Sequence, residues 1–267
     1  MLCFVMTGLS RLRHRLKPWG QALLDVIFPR TCRVCDQLLR ERDPSHPLQE
    51  WFCPACEDAL PLLEAPYCQV CAEPYDGAAE ALFRCSNCAE RKFAFEFAVA
   101  GYRAQDEVRE LIHKFKYNHK LELRGALADL LHGALLEPRL AAEDLKQWTL
   151  VPVPLHRARE RQREFNQSWE MCRELARRTG IPAVNAMKRQ RATGRQTRLT
   201  RAQRLQNLRS AFAMKRRFAG ANSRLLGPQV LLVDDVFTTG ATAHECARVL
   251  RKEAGVQKVV VIAVARG

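Results

Sequence analysis

Two carboxylates and a threonine-rich turn follow an apolar run late in the chain. The stretch reads VLLVDDVFTTGAT, from Val230 to Thr242, and it contains Asp234 and Asp235. The apolar run predicts a buried strand of a parallel sheet, and ligands bind at the carboxyl edge of such sheets. Hydroxyls and backbone N–H groups at the start of a predicted helix suit a monophosphate, and they come from Thr238, Thr239, Gly240, Ala241 and Thr242. Carboxylates repel phosphate but accept hydrogen bonds from sugar hydroxyls or bind a metal. The pattern therefore suits a sugar phosphate such as ribose 5-phosphate, and an ordinary strand–turn–helix is the alternative.

Eight of the eleven cysteines form Cys-x-x-Cys pairs, namely Cys32/Cys35, Cys53/Cys56, Cys68/Cys71 and Cys85/Cys88. Each such turn can point two sulfurs at one tetrahedral metal, and two turns at this separation are typical of a four-thiolate zinc site. We therefore predict two structural zinc ions. The simplest arrangement puts the first two turns on one zinc and the last two on the other, and a crossed arrangement is the alternative. Disulfides are disfavoured in a reducing compartment, and four copies exceed what redox chemistry needs.

The net charge of +14 is confined to one segment of the 267 residues. Residues 157–217 contain 18 Lys and Arg against 4 Glu and no Asp, whereas the remainder of the chain is neutral. Such a segment is either a solvated basic surface or a site for a polyanion, for example phosphates, pyrophosphate or nucleic acid.

Three regions of the chain differ in their pattern. Residues 1–28 contain a basic amphipathic stretch, 9–28, which predicts a helix that packs on the protein or binds a membrane surface or partner. Residues 29–92 hold the cysteine pairs and little periodicity. Residues 93–267 alternate strands with helices, which predicts an α/β domain with a mostly parallel sheet. We predict strands at 93–102, 148–155, 230–233 and 256–265, and helices around 108–115, 123–134, 165–176 and 242–253.

No run of 18 apolar residues exists, so we predict no membrane span. The opening MLCFVMTGL places its apolar patch before its basic residues, which is the opposite of a secretory signal. We therefore expect a cytoplasmic protein whose thiols stay reduced.

The stretch from Val230 to Thr242 resembles the phosphoribosyl diphosphate (PRPP) motif of type I phosphoribosyltransferases. With VPVPLHRARERQREFNQS, RQTRLTRAQRLQNLRSAF and the cysteine-rich N-terminus, the chain resembles the ComF family over about residues 28–266. The resemblance implies a type I phosphoribosyltransferase-like α/β fold, with a parallel sheet flanked by helices and an N-terminal double zinc-ribbon domain. It also implies a link to natural competence or to DNA used as a nutrient.

By this resemblance, Asp234 and Asp235 hold the ribose hydroxyls and are the catalytic candidates, while the threonine loop cradles the 5′-phosphate. The turn after VPVP faces pyrophosphate and the Mg²⁺ that accompanies PRPP, and its candidates are Leu155, His156, Arg157 and Arg159. Arg161 and Arg163 are further candidates for the diphosphate. Residues 189–209 are expected to close over the site, with weaker candidates at Gln196, Arg201, Arg204 and Asn207. Lys114 and Lys116 are predicted to lie on a solvated helix face.

Two departures from the family pattern stand out. Glu164 occupies a position where many ComF sequences have Gly, which puts the geometry of that turn in question. Thr238 occupies the position where some phosphoribosyltransferases carry an aspartate that acts as a base on purines. The resemblance therefore implies no purine-type general base at Thr238.

Two functions follow as hypotheses. The first is an enzyme that transfers ribose 5-phosphate from PRPP to an unknown acceptor and releases pyrophosphate. The second is a non-catalytic module that handles single-stranded DNA or senses PRPP, with zinc ribbons and a basic surface. By the resemblance, single-stranded DNA and DNA-uptake or DNA-processing proteins are the expected partners. A third hypothesis, a glutamine-dependent amidophosphoribosyltransferase, is not expected, because it needs a nucleophilic cysteine at the mature N-terminus, where Cys3 is not placed, and a glutaminase domain that 92 residues do not accommodate.

Overall fold

A computed structural model describes residues 29–39, 46–75, 77, 83–191, 210–219 and 226–267. The helix predicted at 9–28 lies outside the described residues. So does most of the predicted closing loop, residues 192–209, with Gln196, Arg201, Arg204 and Asn207.

The strands form one parallel sheet and one small hairpin. In chain order they are β1 (Ala98–Arg103), β2 (Thr149–Pro152), β3 (Met187–Arg189), β4 (Phe212–Met214), β5 (Gln229–Phe237) and β6 (Lys258–Arg266). The sheet has the order β1-β6-β5-β2 with every pair parallel, and β3 and β4 pair antiparallel. The hairpin β3–β4 was not predicted, because each strand has only three residues and residues 190–211 separate the two strands.

Helices flank the sheet and the cysteine turns. They are α1 (Pro54–Asp58), α2 (Ser86–Ala89), α3 (Asp106–Tyr117), α4 (Arg124–Gly133), α5 (Pro138–Ala141), α6 (Arg157–Arg163), α7 (Gln167–Thr179) and α8 (Ala241–Ala254). Short 3-10 turns lie at Pro47–Glu50, Leu121–Leu123, Ala134–Leu136, Leu145–Gln147 and Arg216–Phe218. In the part of the chain that the structure describes, no helix is both long and apolar enough to cross a membrane.

The apolar patterns place the core on both faces of the sheet. Along β5, Val230 and Leu232 pack on one face with α8 and the hairpin, while Leu231 and Val233 pack on the other with α4 and α7. All four side chains are fully buried, and each contributes about 1.5–3 kcal/mol to folding. The predicted helices are confirmed as α3, α4, α7 and α8.

All four predicted strands differ in their bounds, and two of them differ by more than three residues at one end. β1 begins at Ala98 rather than at Phe93, and the rings of Phe93 and Phe95 ahead of it stack on each other with centroids 4.7 Å apart. β5 extends through both aspartates to Phe237, so the carboxylates belong to the strand itself.

The cysteine-rich region packs directly on the α/β sheet. The backbone of Leu62 pairs antiparallel with Tyr102 at the edge of β1, and Arg103 N donates to Pro61 O at 2.7 Å. This pairing covers a sheet edge that would otherwise be open. On α4, a Cβ on Gly125 would lie 2.5 Å from the indole of Trp51, so only glycine permits this contact.

Candidate functional site

Asp234 and Asp235 lie near the carboxyl end of the central strand β5. Strand alternation points them to opposite faces of the sheet. Asp235 Oδ2 forms an ion pair with Lys116 Nζ at 2.8 Å, and both side chains are largely buried. Asp234 Oδ1 accepts hydrogen bonds from Asp235 N at 2.9 Å and from Ser168 Oγ at 3.4 Å. Among the described residues, Asp235 therefore has an ion-pair partner, whereas no salt bridge within 4.0 Å is found for Asp234.

Burial and the charge of Asp235 raise the pKa of Asp234 from its ordinary 3.8 to about 7. Lys116, the Asp235 N–H and the Ser168 hydroxyl act in the opposite direction but do not offset these effects. The Asp234 carboxyl therefore exchanges its proton near neutral pH, which is the behaviour of a functional site more often than of a structural one.

Lys116 corrects the sequence analysis. Its placement on the polar side of α3 was right, but the end of that face turns toward the sheet edge, so Lys116 meets Asp235 rather than solvent. Lys114 behaves as predicted and forms a surface pair with Glu110 at 2.8 Å. Ser168 was not singled out either, although it lies within the matched motif VPVPLHRARERQREFNQS.

The threonine loop connects β5 to α8. Gly240 has a left-handed backbone, with φ of +73°, and directly precedes the helix. A Cβ there would lie 2.9 Å from Phe237 Cζ and 3.3 Å from Phe93 Cε1, so the position excludes side chains on two grounds. Thr238 is exposed, whereas Thr239 and Thr242 are half-buried and Ala241 is buried. The loop thus presents hydroxyls and the N-terminus of a 14-residue helix at the sheet edge.

The segment after β2 lies at the same edge, because β2 and β5 are parallel neighbours. Leu155 and His156 are half-buried there. His156 starts α6, and its Nδ1 accepts a hydrogen bond from Ala158 N at 3.3 Å. Arg157 and Arg159 are exposed on α6.

Arg189 extends the set of cations at this edge. Its backbone bridges His156, its guanidinium lies 5.3 Å from the centre of the Phe212 ring, and its charge interacts with those of Asp234 and Arg159. Burial and the like charge of Arg159 lower the pKa of Arg189. Sequence reasoning placed Arg189 only at the border of the predicted closing loop.

The cysteines form two tetrads with neighbouring turns paired. Cys32, Cys35, Cys53 and Cys56 form the first, and Cys68, Cys71, Cys85 and Cys88 the second, with all sulfurs of a tetrad within 4.8 Å of one another. Sulfurs of neighbouring turns lie 3.7 Å apart in the first and 3.6 Å in the second. A tetrahedral zinc with Zn–S bonds of about 2.3 Å needs sulfurs about 3.8 Å apart, so both tetrads fit structural zinc. The predicted sequential pairing is the arrangement in the structure.

Comparison with known proteins agrees with this architecture. A model of the double zinc ribbon domain matches residues 23–90. The chain is 30% identical to the DNA utilization protein YhgH of Salmonella typhimurium, over 84% of this chain and 92% of that one. It is 29% identical to competence protein F of Haemophilus influenzae, over 83% and 93% of the two chains. Competence protein ComFC of Bacillus subtilis is 23% identical, over 75% and 78%.

The chain belongs to the ComF family. The architecture expected for a ComF protein is confirmed: a parallel α/β sheet flanked by helices, with two four-cysteine sites ahead of it. The aspartates, the threonine loop and the segment Leu155–Arg159 come together at one sheet edge. Their roles toward PRPP, the part played by Mg²⁺ and the domain bounds 1–28, 29–92 and 93–267 stay predictions.

The turn at Glu164 keeps a glycine-like conformation in this ComF chain. Glu164 has φ of +67° and ends α6, at a cost of about 1–2 kcal/mol for a residue with a Cβ. Immediately afterwards, Asn166 Nδ2 donates to Val153 O at 3.2 Å, and Asn166 Oδ1 accepts from Ser168 N at 3.1 Å. These bonds fix the start of α7, so the departure at Glu164 changes the residue and not the turn.

Proposed function

We propose that this protein binds PRPP with Mg²⁺ at the carboxyl edge of β5 and β2, and that it acts in DNA uptake or utilisation. One observation carries the proposal: a carboxylate pair and a threonine-glycine loop that opens a helix follow one another on a single buried strand. The names of the relatives, which refer to competence and DNA utilisation, support the cellular role.

In this proposal each group of residues takes one part of the ligand. Asp234 and Asp235 accept hydrogen bonds from the ribose hydroxyls. The loop from Thr238 to Thr242 surrounds the 5′-phosphate with N–H and hydroxyl donors. Residues 155–159, with Mg²⁺, take the diphosphate, where arginine offers bidentate contacts. Lys116 and Arg189 supply positive charge beside an acidic pair that would otherwise repel the ligand.

The second part of the proposal, beyond binding, is that the protein transfers the phosphoribosyl group. An acceptor nucleophile would form a bond to the anomeric carbon while the C–O bond to the diphosphate breaks, and pyrophosphate would leave with that electron pair. Stabilising the leaving diphosphate would be the main task of the site. Thr238 contributes no carboxylate, so the proposal requires an acceptor that is already a good nucleophile or a base from another position.

Calorimetric titration of zinc-loaded protein with PRPP and Mg²⁺ tests the binding site. The matched variant is Asp234→Asn/Asp235→Asn, which keeps side-chain volume and removes both negative charges. We expect micromolar binding to the wild type and none to the double variant. Absence of binding to the wild type, or equal binding to both, contradicts the proposal.

A DNA-handling module without turnover is the second candidate. It is favoured by the confinement of the +14 charge to residues 157–217, where Arg157, Arg159 and Arg161 are exposed along α6. Phosphate contacts by such a surface release counter-ions, so affinity for an oligothymidine should fall steeply as salt rises. A shallow dependence of the oligothymidine affinity on salt contradicts this candidate. Oligothymidine binding that PRPP does not change would distinguish this candidate from the first.

A further inference from the structure

The two edges of the parallel sheet differ in how they are covered. At the β1 edge, the backbone of Leu62 pairs with the strand, so the cysteine-rich region covers that side. Beyond β2, at the other edge, a single parallel bridge joins Leu150 to Ala183. Leu150 N donates to Pro182 O at 2.8 Å, and Val184 N donates to Leu150 O at 2.9 Å. Residues 181–185 therefore form the last, short strand-like segment on this side of the sheet.

The outer side of this segment presents free backbone groups. When both neighbours of a residue bond one strand of a parallel ladder, its own N–H and C=O groups point the other way, as those of Ala183 do. Within the described ranges, neither group bonds another backbone group. Pro152 has no N–H to continue the ladder beyond Leu150. The sheet thus ends in a short open edge of the kind to which another chain can add a strand.

A groove of about 420 Å³ lies along this edge. We call it the edge groove, and its lining residues are Trp169, Ala183, Val184, Asn185, Arg217 and Phe218. Trp169 is half-buried near the start of α7 and packs with the apolar cluster on one face of the sheet, whereas Phe218 belongs to the cluster on the other face. The edge groove therefore has an aromatic wall on each face of the sheet and strand backbone between the two walls.

The edge groove carries positive charge. Arg217 is exposed, and its guanidinium carbon lies 4.6 Å from the centre of the Phe218 ring. Among the residues that the structure describes, Arg217 has no salt-bridge partner. Burial and the like charge of Arg217 lower the pKa of Lys215, two positions earlier. A carboxylate in the edge groove would therefore meet a cation that is available to pair with it.

Backbone and charge together favour one class of occupant. Symmetric pairing of two copies of this chain would bring both Arg217 side chains and the basic segments around them together, and like charges oppose such contact. A nucleic acid offers phosphates to Arg217, but it has no N–H and C=O groups at the spacing of a strand to match Ala183. An extended peptide with carboxylate side chains supplies both kinds of partner.

We propose that the edge groove binds an extended, acidic segment of a partner protein, which adds a strand beside residues 181–185. Successive side chains of a strand point to opposite faces, so the added segment should alternate. Its side chains on the Trp169 face should be apolar, and those on the other face should include carboxylates toward Arg217. No residue that lines the edge groove belongs to the threonine loop or the aspartate pair, so this interaction does not depend on PRPP binding.

Peptide selection followed by affinity measurement tests the proposal. A phage-displayed library of random peptides is selected on the full-length, zinc-loaded protein, and enriched peptides are synthesised and measured by fluorescence anisotropy. Two N-methylated copies of each peptide remove the N–H donors of one or the other alternate set of residues and leave the side chains unchanged. The protein variants are Arg217→Glu and, as matched control, Arg216→Glu, an exposed neighbour that does not line the edge groove. Zinc content and melting temperature verify both variants.

We expect the enriched peptides to alternate apolar and acidic residues. N-methylation of one alternate set should abolish binding, whereas methylation of the other set, which faces solvent, should be tolerated. Arg217→Glu should weaken binding by at least about fivefold, because an exposed attraction becomes a repulsion, and Arg216→Glu should have a clearly smaller effect. Peptides with lysine in place of the acidic residues should bind Arg217→Glu better than the wild type.

Four results would overturn the proposal. The first is that no peptide is enriched, and the second is that binding tolerates both N-methylated copies or is equally weakened by the two arginine variants. The third is a dimer of the free protein in sedimentation velocity that Arg217→Glu strengthens, which would assign the edge groove to a second copy. The fourth is oligothymidine binding that displaces the peptides and is lost in Arg217→Glu but not in Arg216→Glu, which would assign the edge groove to nucleic acid.

Discussion

At the scale of single residues, the raised pKa of Asp234 predicts that folding stability depends on pH. Because its folded pKa is raised to about 7, its contribution to stability is present at low pH and is lost as pH rises through about 7. Asp234→Asn should therefore raise the melting temperature at about pH 8, by about 2 °C or more, and the gain should shrink toward about pH 4. Thermal melts across this range test it, with the exposed Asp58→Asn as control. A gain independent of pH would contradict a buried, proton-exchanging carboxyl.

Lys116 supplies the second residue-scale prediction. Its ammonium compensates Asp235, so Lys116→Met leaves an uncompensated buried charge in a site that is proposed to bind an anion. We expect PRPP affinity to fall by at least about tenfold, which corresponds to about 1.4 kcal/mol. Lys114→Met, on the same helix but paired with Glu110 at the surface, should bind as the wild type does. Equal calorimetric affinities of the two variants would show that Lys116 does not serve the site.

At the scale of elements, the sequence patterns predicted those features that interactions between neighbouring residues determine. The strand β5, the helix α8 and the loop between them follow from an apolar run, a glycine and a 3.6-residue period. The cysteine tetrads follow from the spacing of turns. By contrast, Lys116 lies more than a hundred residues from Asp235 in the sequence, and Arg189 belongs to an unpredicted hairpin that brings its charge into interaction with that of Asp234. The periodicity of the sequence does not predict such interactions, because the order of strands in the sheet and the packing of the helices bring these residues together.

Gly240 gives a prediction for the element that joins strand to helix. Gly240→Ala combines a left-handed backbone with a contact of 2.9 Å to Phe237. Gly255 has a similar φ of +68° at the end of α8, but no heavy atom lies within 4 Å of its Cβ position. Gly255→Ala should therefore cost about 1–2 kcal/mol for conformation alone, and Gly240→Ala clearly more. Chemical denaturation of the two variants measures the difference, and equal costs would mean that the aromatic contact yields without penalty.

At the scale of the whole molecule, the two cysteine tetrads are parts of the α/β core rather than separate attachments. The second tetrad belongs to the same apolar cluster as β5, β6 and α8, and all four of its cysteines are buried. The first packs with α3, α4 and α7 and leaves Cys35 exposed. Each zinc therefore stabilises a different face of the sheet, and only the second lies beside the threonine loop.

This asymmetry predicts unequal effects of removing each zinc. Cys88→Ser should lose one zinc, lower the melting temperature and weaken PRPP binding, because Cys88 lines the same cavity as Thr238 and Thr239. Cys35→Ser should also lose one zinc, yet keep PRPP affinity within a few-fold, because its tetrad borders the opposite face of the sheet. Metal stoichiometry, calorimetric melting and PRPP titration on both variants test this order. If Cys35→Ser impairs PRPP binding as much as Cys88→Ser does, the zincs act through global stability. If neither does, the threonine loop holds its shape without the tetrad, and its packing on Phe93 is not what positions it.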